Sequence, residues 1–458
     1  MNKKDIKNTV YRVSGGYPLS GSIRISGSKN AAVGILPAAV LSGGVSTVYN
    51  VPCISDIAVL IRILEGAGAK VSFSPGAGGS FGADGNSRMA IDVSGISTTS
   101  LLVPEMAKLR ASYYLWGAML GRYGEVEALM PGGCNFGAER PIDYHIRAFE
   151  QMGAEVSVDT ENGIIRAKAR GGRLTGARII FDASSVGATI NVILAAVLAD
   201  GLTVIENAAR EPHIVDLSLY LNSLGARVRG AGTNIIKIEG VEKLHSGSHT
   251  IVPDQIEAGT FMAAVCACGG ELEIQSVIPR HLDAISQKLR AIGAQIEETD
   301  DKVICVRSSK LSSVDVRTMP YPGFPTDMQP QLAACLLMAQ GTSRVFDSVW
   351  TERFSYAHEF RKLGADIEFC SKPSHIKIRG VAELYGASEP LNVPDLRAGA
   401  ALTIAALSAK GDSVLTNVEF IERGYENFTE KLSSVGASIE RAYSETVAVQ
   451  DSRNRYID

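Results

Sequence analysis

Hydrophobic positions along the chain recur at two scales. Locally, stretches with apolar residues at helical spacing end in Gly-Ala, then one variable residue, then Val or Ile opening an alternating segment. The copies are Gly68-Ala69-Lys70-Val71, Gly153-Ala154-Glu155-Val156, Gly225-Ala226-Arg227-Val228, Gly293-Ala294-Gln295-Ile296, Gly364-Ala365-Asp366-Ile367 and Gly436-Ala437-Ser438-Ile439. Gly68 and Gly153 are 85 residues apart, and the four later intervals run from 68 to 72. A period of that size marks duplicated supersecondary units. Each glycine stands where a helix closes through left-handed backbone.

A second, more apolar segment precedes each of these helices, starting near Lys29, Leu109, Val186, Ile256, Thr326 and Asp395. These six are rich in Ala and Leu and poor in charge, so helices buried all round are expected. Glycine-containing strand patterns lead into several of them, at Leu19–Ile25, Leu174–Ile180 and Leu384–Ala387. The pattern predicts an α/β fold of six units, each with two helices and roughly four short strands. Six units divide most simply three and three, with a boundary near His249–Pro253. The expected domains are residues 29–251 and residues 1–28 plus 252–458, the N-terminal strand pairing with the second.

The first interval exceeds the rest by about 14 residues. Gly-rich Ser74–Ser87 reads as a surface hairpin or loop without chemistry. Pro131–Glu139 reads differently. Gly132, Gly133 and Gly137 surround Cys134, and Arg140-Pro141 resembles a helix entrance. A thiol beside a guanidinium and a helix N-terminus should be acidic and reactive, and this loop should be mobile.

Charge and composition narrow the function. With 45 basic and 49 acidic residues the net charge is −4, so no global field draws nucleic acid or membrane. No apolar run reaches membrane-spanning length. The polar start, Met1–Asp5, leads into a strand-like Thr9–Val13 rather than a signal peptide. The seven cysteines are scattered, which suits reduced thiols in a cytoplasmic protein; Cys266 and Cys268 read as core. No metal is expected, since neither cysteine nor histidine shows ligand spacing.

Cations gather where they are locally unfavourable. Lys29, Arg110 and Arg397 begin buried helices, and Arg140, Arg353 and Arg423 lie near starts of the second helix type. Six such placements point to a shared anionic ligand; pairing with Glu139, Asp143, Glu352, Asp395 or Glu422 is the plainer alternative for each. Asp327 is either a first-turn residue after a Thr326 N-cap or, if it faces the same cleft, a general base.

These residues together resemble the UDP-N-acetylglucosamine enolpyruvyl transferases. The resemblance spans nearly the whole chain, through Ile25–Ala32, Leu109–Ser112, Pro131–Cys134, Arg140–Asp143, Ser185–Thr189, Glu206–Pro212, Phe324–Gln329 and Arg423–Glu426. It implies a two-domain inside-out α/β barrel, three repeats per domain around buried helices. It implies transfer of the enolpyruvyl group of phosphoenolpyruvate to the 3′-hydroxyl of UDP-N-acetylglucosamine, releasing phosphate. By that resemblance Cys134 protonates C3 and can bond to C2, Asp327 accepts the hydroxyl proton, and Lys29, Arg140 and Arg423 hold phosphate and carboxylate with Arg397 and Arg353 in support. Nucleotide-sugar contacts correspond to Arg110, Arg140, Pro141, Ile142, Asp143, Tyr144, Ala183, Ser184, Ser185, Val186, Asp327 and Val349, with Asn30 and Asp395 as further substrate-binding positions. No cofactor is implied, the protein is expected to be a monomer, and fosfomycin should alkylate Cys134. Three positions depart from the family pattern: one extra residue at Ala138-Glu139, Ala183 in place of a lysine, and Gln255 in place of an arginine. They keep two alternatives in view, a different nucleotide acceptor such as UMP and a non-catalytic UDP-sugar-binding paralogue.

Overall fold

The computed structural model describes residues 9–75, 87–132, 142–307 and 310–443. Most of Ser74–Ser87, the residues Cys134, Glu139, Arg140 and Pro141, and the ends of the chain lie outside them. The described residues form six four-stranded sheets of one design. In the third, strand Arg178–Ile180 leads through helix Val186–Ala196 to the parallel strand Leu202–Glu206, then through helix Pro212–Ser223 to the antiparallel strands Arg227–Arg229 and Ile235–Glu239. Connecting parallel neighbours needs a crossover, which is why an apolar helix follows each lead-in strand.

All six Gly-Ala glycines have positive φ, from 87° at Gly153 to 125° at Gly293. This is the backbone a helix needs in order to stop and turn into the following strand. The lead-in helices are buried as the composition predicts: every residue from Ile256 to Ala267 in helix Gln255–Cys268 is inaccessible. Two helices start later than the pattern indicates. A 3₁₀ turn, Arg110–Tyr113, precedes helix Tyr114–Tyr123, and Thr326–Met328 precedes helix Gln329–Leu336. Pro330, at the second position of the latter, suits a first turn but supplies no N–H donor.

The buried apolar side chains fall into two cores, one from residues 31–251 and the other from residues 11–25 with 256–439. Strand Thr9–Gly15 lies between Gly411–Thr416 and Ser438–Tyr443, and Leu19–Arg24 pairs with Gly270–Gln275. The first three repeats are thus inserted between a lead-in strand of the fourth and its helix. The sheet of the first repeat borrows Ser248–Thr250 as its lead-in. Two segments connect the cores and run antiparallel, Gly27 bridging to Pro253, with Ser28 N donating to Val252 O and Asp254 N to Ser26 O. Gly27 is required there, because a Cβ would meet Asn50 O at 1.7 Å. No helix among the described residues is long and apolar enough to cross a membrane.

Candidate active site at the seam between the two cores

The connecting segments place the starts of three buried helices beside one another. Ser28 caps helix Lys29–Ala38 through its Oγ, which accepts from Ala31 N at 3.3 Å. Asp254 caps Gln255–Cys268 with Oδ1, and its Oδ2 accepts Lys29 N at 2.9 Å. Asp395 caps Leu396–Ser408 through Arg397 N and Ala398 N. Carboxylate caps satisfy free N–H groups and offset the cations that follow them.

The cations form two groups. Lys29 Nζ lies 2.8 Å from Asp56 Oδ2, and Arg423 Nε donates to Asp56 Oδ1 at 2.9 Å. Arg423 also donates to Lys108 O at 3.2 Å, so it reaches across the seam twice. Burial pushes the Asp56 carboxyl up, but Lys29 and Arg423 outweigh it and hold it below the ordinary range. In the second group Asp327 Oδ1 accepts from Arg353 Nη1 and Oδ2 from Arg397 Nη2, both at 3.1 Å. Arg353 Nη2 is 3.5 Å from Asp395. Arg353 and Arg397 are almost wholly buried, while the Asp327 side chain is 30% exposed. Burial raises the Asp327 pKa, yet Arg397 and Arg353 together hold it far below the usual carboxylate value. The two groups meet at Gly424-Tyr425: Gly424 packs on Lys29, and the Arg397 guanidinium carbon lies 5.4 Å from the centre of the Tyr425 ring.

Several expectations are corrected by this geometry. Thr326 does not cap a helix; its hydroxyl donates to Asp347 Oδ2 at 2.6 Å, and the Thr326–Met328 turn has no side-chain cap. Of the acids weighed as partners, Asp395 pairs with Arg353, whereas Glu422 binds Arg441 and Asp143 binds Arg147; Glu139 lies outside the described residues. Asp56, which neutralises Lys29 and Arg423, was not singled out in the sequence. Nor was His145, fully buried, hydrogen-bonded through Nδ1 to Asn191 Nδ2 at 2.8 Å, and held neutral by burial and by Arg110, which push its pKa down to about 3.

The remaining predicted residues belong to the first three repeats, apart from Val349 in the fifth. Arg110 stacks over Tyr113 at 5.3 Å. Tyr144 OH accepts Ala183 N at 3.1 Å, joining the start of helix Asp143–Gln151 to the turn before Val186–Ala196. Ser185 caps that helix through Ala188 N, with Ser184 and Val186 partly exposed beside it. Ile142 and Asn30 are half-buried, and Asp143 is held by Arg147 at 2.7 Å. Val349 is exposed, its N–H on Asp347. Cys134, Arg140 and Pro141 lie outside the described residues. Anchored cations around a seam between two barrels suit anionic substrates gathered from both sides.

Fold and seam define an inside-out α/β barrel protein of the enolpyruvyl transferase class. Residues 13–432 match the family described as EPSP synthase (3-phosphoshikimate 1-carboxyvinyltransferase), and the chain belongs to that family. It is 45% identical over 431 residues to UDP-N-acetylglucosamine 1-carboxyvinyltransferase of Clostridium botulinum, covering 94% of this chain and 99% of that one. It is 46% identical over 430 residues to UDP-N-acetylglucosamine 1-carboxyvinyltransferase 2 of Bacillus subtilis, covering 94% and 96%. Among solved structures, the enolpyruvyl transferase NikO from Streptomyces tendae superposes with TM-score 0.84 at 25% identity over 95% of this chain and 99% of that one. EPSP synthase from Acinetobacter baumannii, 17% identical with TM-score 0.69 over 95% and 100%, shares the fold.

Proposed function

We propose that the chain transfers the enolpyruvyl group of phosphoenolpyruvate to the 3′-hydroxyl of UDP-N-acetylglucosamine, the first committed step of peptidoglycan synthesis. The observation that carries this reading is the convergence of four cations at the seam, Lys29 and Arg423 on Asp56 and Arg353 and Arg397 on Asp327, with Asp395 beside Arg353. Relatives bearing that activity in their names, 45% and 46% identical over 94% of the chain, supply the substrates.

In this reading the sugar oxygen bonds to C2 of phosphoenolpyruvate as its proton passes to Asp327, and C3 takes a proton from the Cys134 thiol. The tetrahedral adduct then loses a C3 proton and its phosphate, leaving the enolpyruvyl ether and inorganic phosphate. Asp327 flanked by two guanidinium groups is a poor base. Substrate anions that draw Arg353 and Arg397 toward themselves would weaken those contacts and raise its basicity as substrate arrives. Lys29, Arg423 and Arg140 would hold phosphate and carboxylate, while Arg110, Tyr144, Ala183, Ser185 and Val349 would meet the nucleotide sugar. The working domains would be residues 29–251 and residues 1–28 plus 252–458, acting as a cytoplasmic monomer in cell-wall growth and division.

The test is phosphate release from phosphoenolpyruvate with UDP-N-acetylglucosamine or UMP as acceptor. Turnover with the sugar nucleotide is expected; turnover with UMP alone sinks the acceptor assignment, and none with either sinks catalysis. Incubation with phosphoenolpyruvate and acceptor should also leave a phospholactoyl-sized mass increment on Cys134, and fosfomycin should label the same residue. Labelling elsewhere with Cys134 untouched refutes its role.

A further inference from the structure

Behind Arg397 lies a buried polar array that none of the site assignments uses. Tyr425 OH is 2.9 Å from Thr260 Oγ1, and Gln331 Nε2 lies 3.2 Å from both oxygens. Thr260 belongs to the lead-in helix of the fourth repeat, Gln331 to that of the fifth, and Tyr425 follows the Arg423-Gly424 turn of the sixth. All three repeats of one core therefore converge on a single phenol, and Thr260, Gln331 and Tyr425 are fully or nearly fully buried.

Counting protons fixes the direction of the array. Thr260 Oγ1 donates its one hydrogen to Ile256 O at 2.7 Å, the usual outlet for a threonine inside a helix. It can then only accept from Tyr425 and Gln331. Tyr425 spends its single proton on Thr260 and accepts from Gln331 Nε2, so its hydroxyl, and with it the ring, is held from two sides. The Arg397 guanidinium stands over the ring held in this way, its carbon 5.4 Å from the ring centre. Arg397 thus has one N–H on Asp327 and its guanidinium over a ring that Thr260 and Gln331 hold in place.

We infer that Tyr425, locked by Thr260 and Gln331, is a positioning residue that aims the Arg397 guanidinium at Asp327 and at the anion bound there. A buried guanidinium on a long side chain otherwise keeps several rotamers, and misplacement by about 1 Å at a reacting centre can cost on the order of a hundredfold in rate. The groups facing Asp327 are Arg353 and Arg397, with Asp395 behind Arg353 and His213 and Asp254 nearby. None of them duplicates the neutral aromatic face that Tyr425 presents to Arg397. The inference rests on the enolpyruvyl transfer proposed above.

Four variants of the full chain separate positioning from packing: Tyr425→Phe, Thr260→Val, Thr260→Ser and the control Tyr220→Phe, a buried phenol in the other core. Val matches threonine in shape without the hydroxyl, whereas Ser keeps the hydroxyl and loses the methyl. Positioning predicts that Y425F and T260V lower kcat about tenfold, with KM for the sugar nucleotide within about twofold, and that T260S and Y220F retain near wild-type kcat. A packing role predicts the opposite order, T260S worse than T260V, and that result overturns the inference. So does unchanged kcat in both Y425F and T260V when wild-type turnover is normal. Absence of wild-type turnover instead removes the reading underneath, and the inference with it. If Y425F fails to fold, the ordering of the two Thr260 variants still decides.

Discussion

Asp327 and Asp56 are the two residues on which the chemistry and the stability of the seam turn. Replacing Asp327 with Asn removes the proposed proton acceptor and should lower kcat by about a hundredfold or more, with KM for phosphoenolpyruvate changed far less; near-normal kcat would remove it from the role. Asp56 carries a stability consequence. Its folded pKa is depressed by Lys29 and Arg423, so its contribution is complete above the unfolded carboxylate value of about 4 and is lost as pH falls through the lower folded value. Asp56→Asn should therefore be less stable than wild type at pH 7, and the gap should close on acidification below about pH 4. Denaturant titrations at several pH values check this, and a gap independent of pH would contradict the linkage. Lys29, Arg397, Arg423 and Asp327 were legible in the sequence because charges interrupt otherwise apolar helix starts. Asp56 was not, because an acidic residue in a first helical turn is what any helix favours. Only the approach of helix Ser55–Gly66 to the Arg423 turn gives it a second meaning. Tyr425 and His145 were hidden for a different reason, since each sits among charged and polar neighbours in the sequence and only the fold buries it.

At the scale of elements, the repeat was the most legible feature, and its punctuation explains why. A Gly-Ala pair needs only local backbone physics to stop a helix, so six copies read alike and all six glycines adopt positive φ. The 3₁₀ entries at Arg110–Tyr113 and Thr326–Met328 were less legible. Hydrophobic spacing does not distinguish a tight first turn from an α-helical one over so few residues. Gly364 isolates the backbone contribution: its φ is 89°, and a Cβ there would have nothing within 4 Å. Gly364→Ala should destabilise by about 1 kcal/mol through conformation alone, and Gly364→Asn by less, because Asn tolerates this region better. Equal stability of G364A and wild type in urea would mean that the helix ends in another way.

The whole molecule depends on how two cores stay in register across a pair of connecting segments. Lys431 links them: its Nζ lies 2.5 Å from Glu257 Oε1 and donates to Ser26 Oγ at 2.7 Å. Ser26 donates onward to Glu426 Oε2 at 2.5 Å, and Glu426 Oε1 accepts Cys53 N from the first core at 2.8 Å. Glu257 also accepts Ser26 N, so one buried carboxylate ties the connecting segment to the lead-in helix of the fourth repeat. Burial raises the pKa of Glu257, and Lys431 only partly counters it. Removing the ammonium leaves a buried carboxylate without its cation, a change that typically costs about 3–5 kcal/mol. Lys431→Met should therefore unfold at much lower denaturant than wild type at pH 7. Its deficit should shrink toward pH 4, because with Glu257 raised further the folded state holds a proton that the unfolded state has lost, so stability falls as pH rises between the two values. Adding Glu257→Gln to Lys431→Met removes the charge altogether and should recover more than half of the loss. A double variant no more stable than K431M would show that Lys431 acts through packing rather than as the counter-charge of Glu257.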